Sequence, residues 1–338
     1  MKILVVRNDK LGDFLVSLPA YACIKKNLSD ATVLALIGNY TRDIAELCPY
    51  IDETVVDPGR DNGLGATLQL ARDLKNYRLD AVVTLFSTGH TGVAVWLAGI
   101  PYRLAPATKI AQLAYNHRLK QRRSLSVKPE YEYNLDLARQ FLADMGVESI
   151  KKPSPPYLSV APETRKRTRS NFLARHQIPE GAKLVFVHAG SGGSSNNLTY
   201  KQYADLVRRL ELGEPYHVVL TSGPGEIDYV KGLSDLIKDV PHTVYDSTEG
   251  LARFVENIAI AELFIGGSTG PLHIAGALDV PTAAFYVRLR TSSALRWQTI
   301  NSPDRRLAFS PEESFEEEDM SGVNLAAAAA KIKTTFLA

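Results

Sequence analysis

The sequence predicts an α/β protein of two domains, each built on a doubly wound parallel sheet. Three observations support this fold class. The chain has 338 residues, about twice the length of an ordinary domain. Short runs of Val, Ile and Leu alternate with helical patterns in both halves, as in βαβ units. A segment with four prolines at 149–162 separates the halves and offers few backbone hydrogen bonds, so we expect an interdomain connector there.

The elements follow from the period of the apolar residues. An unbroken apolar run is typical of a strand buried on both faces of a parallel sheet, and apolar residues three or four apart are typical of a helix. The first half gives strands at 2–6, 32–37, 53–56 and 81–85, with helices at 14–27, 41–47, 64–76 and 131–145. The second half gives strands at 183–188, 217–221, 263–266 and 282–286, with helices at 200–212, 226–236, 251–259 and 271–278. We expect domains at 1–155 and 163–320, and a last helix within 321–338 that packs back on the first domain.

Composition excludes several classes of protein. Hydrophobic residues make up 45% and charged residues 22%, which rules out a disordered chain, a collagen and a coiled coil. Lys and Arg number 39 against 37 Asp and Glu, so an anion site must be built locally. Cys23 and Cys48 lie in apolar stretches and are expected to be reduced core thiols. With no signal-peptide pattern and no long apolar window, we expect a cytoplasmic protein, with attachment to a membrane surface left open.

Ligands of open α/β sheets bind outside the carboxyl ends of the strands, so the loops after strands are the candidate sites. Loop 7–13 reads Arg-Asn-Asp-Lys-Leu-Gly-Asp. Gly12 permits a tight turn, and Asp13 stands where a carboxylate is a favoured N-cap. On spacing alone, capping is the favoured interpretation. The loop has neither the G-x-G-x-x-G of dinucleotide sites nor the G-K-[ST] of a P-loop.

Three loops of the second half are also unusual. Residues 188–197 carry three glycines and three serines, so they could cradle an anion or form a simple connector. Glu226, at the end of loop 221–226, can cap a helix or accept hydrogen bonds from a ribose, and capping is favoured. In loop 266–273, Ser268 or Thr269 can cap the next helix, whose free N–H groups suit a phosphate. His273 in its first turn could add a donor, although a lone histidine is more often structural.

Two motifs together resemble the heptosyltransferase family of inverting glycosyltransferases, which build the inner core of lipopolysaccharide. They are R-x-x-x-x-G-D after the first strand and S-T-G-P-L-H-I-A-G-A-L before a late strand. The resemblance covers essentially the whole chain. It implies a GT-B fold, in which two Rossmann-like domains face each other across a cleft. The N-terminal domain would bind the sugar acceptor and the C-terminal domain the nucleotide-sugar donor.

The resemblance also implies roles for single residues. Asp13 would be the general base that deprotonates the acceptor hydroxyl. Donor-binding residues would be Lys10, Gly12, Ser191, Asn196, Glu226, Ser268, Thr269, Gly270, His273 and Arg288. Acceptor-binding residues would be Arg60, Lys109, Arg118, Lys120, Arg122 and Arg123. We expect no cofactor and no metal, since one base suffices for an in-line displacement and no D-x-D motif occurs. The donor, by family default ADP-heptose, is a substrate.

The sequence departs from the family pattern at two places. Many members carry an acidic residue at the position of Ser268, and many carry a basic residue in the stretch that here begins with Asn196. A helix dipole supplies only ~0.3–1 kcal/mol to an anion, which is small for a diphosphate. A further cation is therefore expected, and the best-placed candidates are Arg7, Lys10, Arg288 and Arg290.

The local distribution of charge indicates the chemical class of the acceptor. Seven cations and no acidic residue occupy 103–128, a stretch that is either a solvated loop or a surface for anionic core sugars, lipid A or the inner leaflet of the inner membrane. The acidic run 312–319 is assigned to a solvated loop. The expected partners are thus a nucleotide-sugar donor, an anionic glycolipid acceptor and a membrane surface, and not nucleic acid.

Two alternatives stay open on the sequence. Another GT-B enzyme, such as a nucleotide-sugar epimerase, would turn over donor with no acceptor present. A non-catalytic module would bind nucleotides or anionic glycans and form no product.

Overall fold

The computed structural model describes residues 1–59, 62–108, 110–190 and 196–337. The chain divides into two compact units, Met1–Ser159 and Val160–Ala338. Each unit contains a six-stranded sheet in which every pairing is parallel. The predicted fold class, two doubly wound parallel sheets with helices, is confirmed. Among the described residues, none of the helices combines the length and apolar character needed to traverse a bilayer.

The first unit has the sheet order β3-β2-β1-β4-β5-β6. Strand β1 is central because its apolar residues are buried on both faces, and Val6 lies opposite Leu36 and Thr84 of its two neighbours. The strands are β1 Lys2–Val6, β2 Thr32–Ile37, β3 Glu53–Val56, β4 Ala81–Thr84, β5 Tyr102–Pro106 and β6 His117–Leu119. The helices are α1 Leu11–Leu15, α2 Leu18–Asn27, α3 Arg42–Glu46, α4 Gly63–Asn76, α5 Gly89–Leu97 and α6 Glu130–Asp144.

The second unit repeats this topology. Its strands are β7 Lys183–His188, β8 Tyr216–Ser222, β9 His242–Asp246, β10 Leu263–Gly267, β11 Thr282–Phe285 and β12 Arg306–Phe309. Its helices are α7 Pro162–Arg175, α8 Tyr200–Arg209, α9 Ile227–Leu236, α10 Leu251–Ile258, α11 Gly270–Ala277 and α12 Leu325–Ile332. The order β12-β11-β10-β7-β8-β9 is that of the first unit once the strands are counted from β7.

The strand order fixes where a ligand can bind. In each unit the order in which successive strands are added to the sheet reverses between two adjacent central strands, β1 and β4 in the first and β7 and β10 in the second. The crevice outside the carboxyl ends of such a pair is the usual ligand site of a doubly wound sheet. Loop 7–13 follows β1, and loop 266–273 spans the end of β10 and the start of α11. Both motif loops therefore lie at a switch point.

The last helix packs within the second unit. Its apolar face, formed by Ala328, Ala329 and Ile332, is buried in the core of the second unit together with Val207 and Phe285. The helix therefore contributes to the core of the second unit, and its packing on the first domain stays a prediction. Alanines on that face allow close packing against α8.

Candidate active site

At the switch point of the first unit, a buried arginine gathers three carboxylates. Arg7 follows β1 and is 2% exposed. Its guanidinium lies 2.8 Å from an Asp9 oxygen and 3.3 Å from Glu130 Oε1, and it also pairs with Asp13. Burial alone would lower the pKa of Arg7, but the three carboxylates raise it above its ordinary value, so the guanidinium stays charged.

Asp13 points to that guanidinium and does not act as a helix cap. Helix α1 begins at Leu11 after the N-cap Lys10, so Asp13 lies within the first turn of the helix. The carboxylate of Asp13 forms an ion pair with the Arg7 guanidinium. The capping interpretation favoured on spacing was wrong, because the buried cation outcompetes an N–H group. Burial raises the pKa of Asp13 to about 6, with Arg7 lowering it and Asp9 and Glu130 raising it. An ionised carboxylate with this pKa is a better base than an ordinary aspartate.

Helix α6 supplies residues that the sequence reasoning missed. Glu130 and Asn134 stand one helical turn apart and are buried, and both accept from the Arg7 guanidinium at 3.3 Å. A signal was present, since two polar residues four apart occupy the helix face that otherwise carries Leu137 and Phe141. These residues hold Arg7, and through it Asp13, in place.

The basic stretch divides into two groups. Arg123 turns inward and donates to Glu130 Oε1 at 2.6 Å, so it joins the Arg7 cluster. Arg118, Lys120 and Arg122 are exposed. The other two acceptor candidates, Arg60 and Lys109, lie outside the described residues.

A second polar network ties the first loop to the neighbouring helices. Asp57, just after β3, accepts from the Asn8 amide and lies 2.9 Å from His90 Nε2. The other ring nitrogen of His90 is 2.8 Å from Thr67 Oγ1. This network links loop 7–13 with α4 and α5. Sequence reasoning missed it because its members come from four separate segments.

In the second unit, helix α11 presents two buried polar atoms that have no protein partner among the described residues. They are Thr269 Oγ1 and His273 Nδ1. Thr269 is the N-cap residue, yet its hydroxyl makes no cap hydrogen bond, and Gly270 opens the helix. Burial lowers the pKa of His273 to about 4, so its ring is neutral at pH 7. Free N–H groups, a hydroxyl and a neutral imidazole at a helix start suit an oxyanion ligand.

Gly267 and Gly190 are required because a neighbouring side chain lies too close for a Cβ atom at either position. A Cβ on Gly267 would overlap the side-chain amide of Asn197, and one on Gly190 would overlap the Glu226 carboxylate. Asn197 donates to the Ala189 carbonyl at 3.1 Å and so holds the end of the glycine-rich loop. Of this loop, Ser191 lies outside the described residues.

Glu226 is the N-cap residue of α9, but its side chain does not bond into that helix. Its Oε2 accepts from the Gly223 N–H at 3.0 Å and lies 3.9 Å from His188 Nε2. Burial lowers the pKa of His188 to about 4, although Glu226 raises it, so the ring is neutral at pH 7. His188 Nδ1 is 2.9 Å from Thr221 Oγ1, which orients the ring.

The remaining donor candidates have other contacts or lie in the motif loops. The Arg288 guanidinium donates to the carbonyls of Glu313 and Phe315, so the acidic loop 312–319 holds it. Asn196 donates to the Glu318 carbonyl at 3.4 Å on the same loop. Lys10 is exposed in the first unit. Gly12 and Ser268 lie in the two motif loops. Among the described residues no group of three His, Cys, Asp or Glu side chains is arranged to hold a metal ion.

These sheets and motif loops define a GT-B-like α/β protein. The model of glycosyltransferase family 9 (heptosyltransferase) matches residues 67–319, more than half of the chain, and the chain belongs to that family. It is therefore a glycosyltransferase, as the motif resemblance implied.

Proteins of known sequence or structure are similar to this chain over most of its length. A candidate glycosyltransferase of Haemophilus influenzae is 43% identical over 310 residues, 92% of this chain and 89% of that protein. Lipopolysaccharide heptosyltransferase 2 of Salmonella typhimurium is 23% identical over 85% of this chain and 82% of its own. The structure of Escherichia coli ADP-heptose lipopolysaccharide heptosyltransferase II superposes with a TM-score of 0.78 at 17% identity, covering 100% of this chain and 99% of that one.

Proposed function

We propose that the protein is an inverting, metal-independent glycosyltransferase that moves a heptose or related sugar from an ADP-sugar to a lipopolysaccharide inner-core acceptor. The observation that carries the proposal is Asp13, a carboxylate with its pKa raised to about 6 at the switch point of a doubly wound sheet. The similarity to heptosyltransferases supports the substrate class.

The proposed step is a single displacement. An acceptor hydroxyl oxygen attacks the anomeric carbon while Asp13 takes its proton. The bond from that carbon to the donor diphosphate breaks, and its electron pair leaves with the diphosphate, which inverts the anomeric centre. Arg7 holds the carboxylate in one orientation and keeps it ionised at neutral pH. The step needs no cofactor, since the nucleotide sugar is itself a substrate.

We place the leaving diphosphate at the start of α11. The N–H of Gly270, the Thr269 hydroxyl and His273 would bind its oxygens, and Glu226 would face the nucleoside. Further proposed donor contacts are Ser268, Asn196, Ser191, Arg288, Lys10 and Gly12. Preorganised donors of this kind act where charge develops in the transition state.

The acceptor would bind at the first unit. The exposed cations Arg118, Lys120 and Arg122 suit an anionic glycolipid, and Arg60 and Lys109 are proposed to join them. Arg123 is better placed to position Glu130 than to contact the acceptor, because its guanidinium is already paired. We further propose that the enzyme works in the cytoplasm at the inner face of the inner membrane.

A pH–rate profile tests the role of Asp13. Only the ionised carboxylate accepts a proton, so kcat/KM should fall as pH drops through about 6, to about a tenth of its plateau at pH 5. Asp9→Asn should move this limb to lower pH, because Asp9 raises the pKa of Asp13. Asp13→Asn should lower kcat by roughly 10²–10⁴-fold with ADP affinity unchanged.

The product should have the inverted configuration at the anomeric carbon. The enzyme should not turn over the donor when no acceptor is present. Normal turnover by Asp13→Asn would refute the assignment of the base. Donor conversion without any acceptor would instead indicate an epimerase.

A further inference from the structure

Helix α5 covers the first sheet, yet its outward face is apolar. Its exposed large side chains are Val93, Trp96 and Leu97, with Trp96 57% exposed. The helix sequence GHTGVAVWL contains no Lys, Arg, Asp or Glu. A helix on the surface of a soluble domain normally turns polar residues outward, and one that is apolar all round is normally buried. The outer face of α5 is therefore suited to an apolar environment.

The apolar surface continues on both sides of this helix. Helix α4 packs against α5 and exposes Leu64 by 82%. The short 3-10 turn Ile110–Ala114 packs on the other side, with Ile110 84% and Leu113 76% exposed. We call this surface the apolar patch, formed by Leu64, Val93, Trp96, Leu97, Ile110 and Leu113. Exposed apolar residues grouped on elements that pack together mark an interaction site, whereas isolated exposed apolar residues do not.

The positive charges that follow the apolar patch in the sequence indicate what kind of partner binds it. The turn leads directly into β6 and the exposed cations Arg118, Lys120 and Arg122, and the stretch 103–128 contains no acidic residue. A second copy of the chain docked by a two-fold axis would bring these cations against their own copies. An anionic lipid surface instead offers hydrocarbon to the patch and negative headgroups to the cations.

We propose that the apolar patch docks the first unit on an anionic bilayer, with Trp96, Leu113 and Ile110 entering the interface and the three cations contacting the headgroups. The inference rests on the proposed action at a membrane and assigns the surface responsible. It concerns lipid binding alone, so it holds or fails independently of sugar transfer.

Vesicle flotation of the full chain tests the inference. Wild type should float with phosphatidylcholine vesicles containing anionic phosphatidylglycerol and should float far less with phosphatidylcholine alone.

Trp96→Gln combined with Leu113→Gln should lower the partition coefficient by at least about tenfold, since each buried apolar side chain contributes on that scale. Lys120→Gln combined with Arg122→Gln should lower it by roughly fivefold per residue with anionic vesicles, and high salt should abolish that difference.

Leu295→Gln is the matched control, because this leucine is 48% exposed in the second unit and should not alter flotation. Equal flotation of wild type and the Trp96/Leu113 variant would overturn the proposal. A dimer of wild type in sedimentation that this variant converts to monomer would overturn it as well, in favour of a second copy. An ADP thermal shift on the same samples separates loss of docking from loss of the donor site.

Discussion

At the scale of single residues, the two motif loops differ in how their polar groups are satisfied. In the first loop, Arg7 pairs with the Asp13 carboxylate inside the protein. The hydroxyl of Thr269 and Nδ1 of His273 are buried without a protein partner in the described chain. Buried polar groups are normally hydrogen-bonded, so an unsatisfied pair at a helix start is expected where a ligand completes the site.

Thr269→Val tests this difference. The hydroxyl makes no protein hydrogen bond among the described residues, so its removal should leave the melting temperature of the free protein nearly unchanged. The dissociation constant of ADP should rise by roughly tenfold or more, because a hydrogen bond to a charged oxygen contributes ~1.5–3 kcal/mol. Calorimetry with ADP and thermal unfolding measure the two quantities.

Thr221→Val is the control, since that hydroxyl is bonded to His188 at 2.9 Å. It should lower the free energy of unfolding by about 1 kcal/mol. Unaltered ADP binding by Thr269→Val would exclude this hydroxyl from the donor site.

At the scale of elements, Gly267 at the end of β10 allows the side chain of Asn197 to approach that strand closely. Because a Cβ on Gly267 would overlap the Asn197 amide, Gly267→Ala should force that side chain away and destabilise the fold by ~1–3 kcal/mol. Gly65 lies within α4 with nothing near its Cβ position, so Gly65→Ala should stabilise by up to ~1 kcal/mol. Urea unfolding measures both, and equal effects of the two alanines would refute the close-approach argument.

The elements also show what the sequence can and cannot predict. Strands β1, β2, β3 and β7 were predicted with their observed bounds, since each contains consecutive apolar or β-branched residues. Strands β6, β9 and β12 were missed because polar or charged residues leave each with only a short apolar run, and β5 because Arg103 and Pro106 interrupt its apolar run. Helix α5 was missed because its apolar outer face removes the amphipathic period. Helix α7 begins at Pro162, which was assigned to the connector.

Prediction of the candidate site from the sequence has a similar limit. Asp13, Thr269 and His273 were proposed from the sequence because each lies in a local motif that contains glycine. Glu130 reaches Arg7 across 123 positions of sequence, and no local pattern reports such a contact. The family resemblance assigned roles to single residues, while the cause of the raised pKa of Asp13 required the folded cluster.

At the scale of the whole molecule, each compact unit has its own buried apolar cluster, and the proposed base and donor site belong to different units. A fragment of residues 160–338 should therefore fold alone, unfold cooperatively and bind ADP, with an affinity lowered only by the loss of the proposed contacts from Lys10 and Gly12. It should form no product, because Asp13 is absent. Circular dichroism, calorimetry with ADP and a product assay measure these outcomes. Thr269→Val in the fragment should weaken ADP binding as in the full chain. A folded fragment that does not bind ADP would show that the contacts proposed in the second unit, at Thr269, Gly270, His273 and Glu226, do not suffice for donor binding, and would refute the placement of the donor site there.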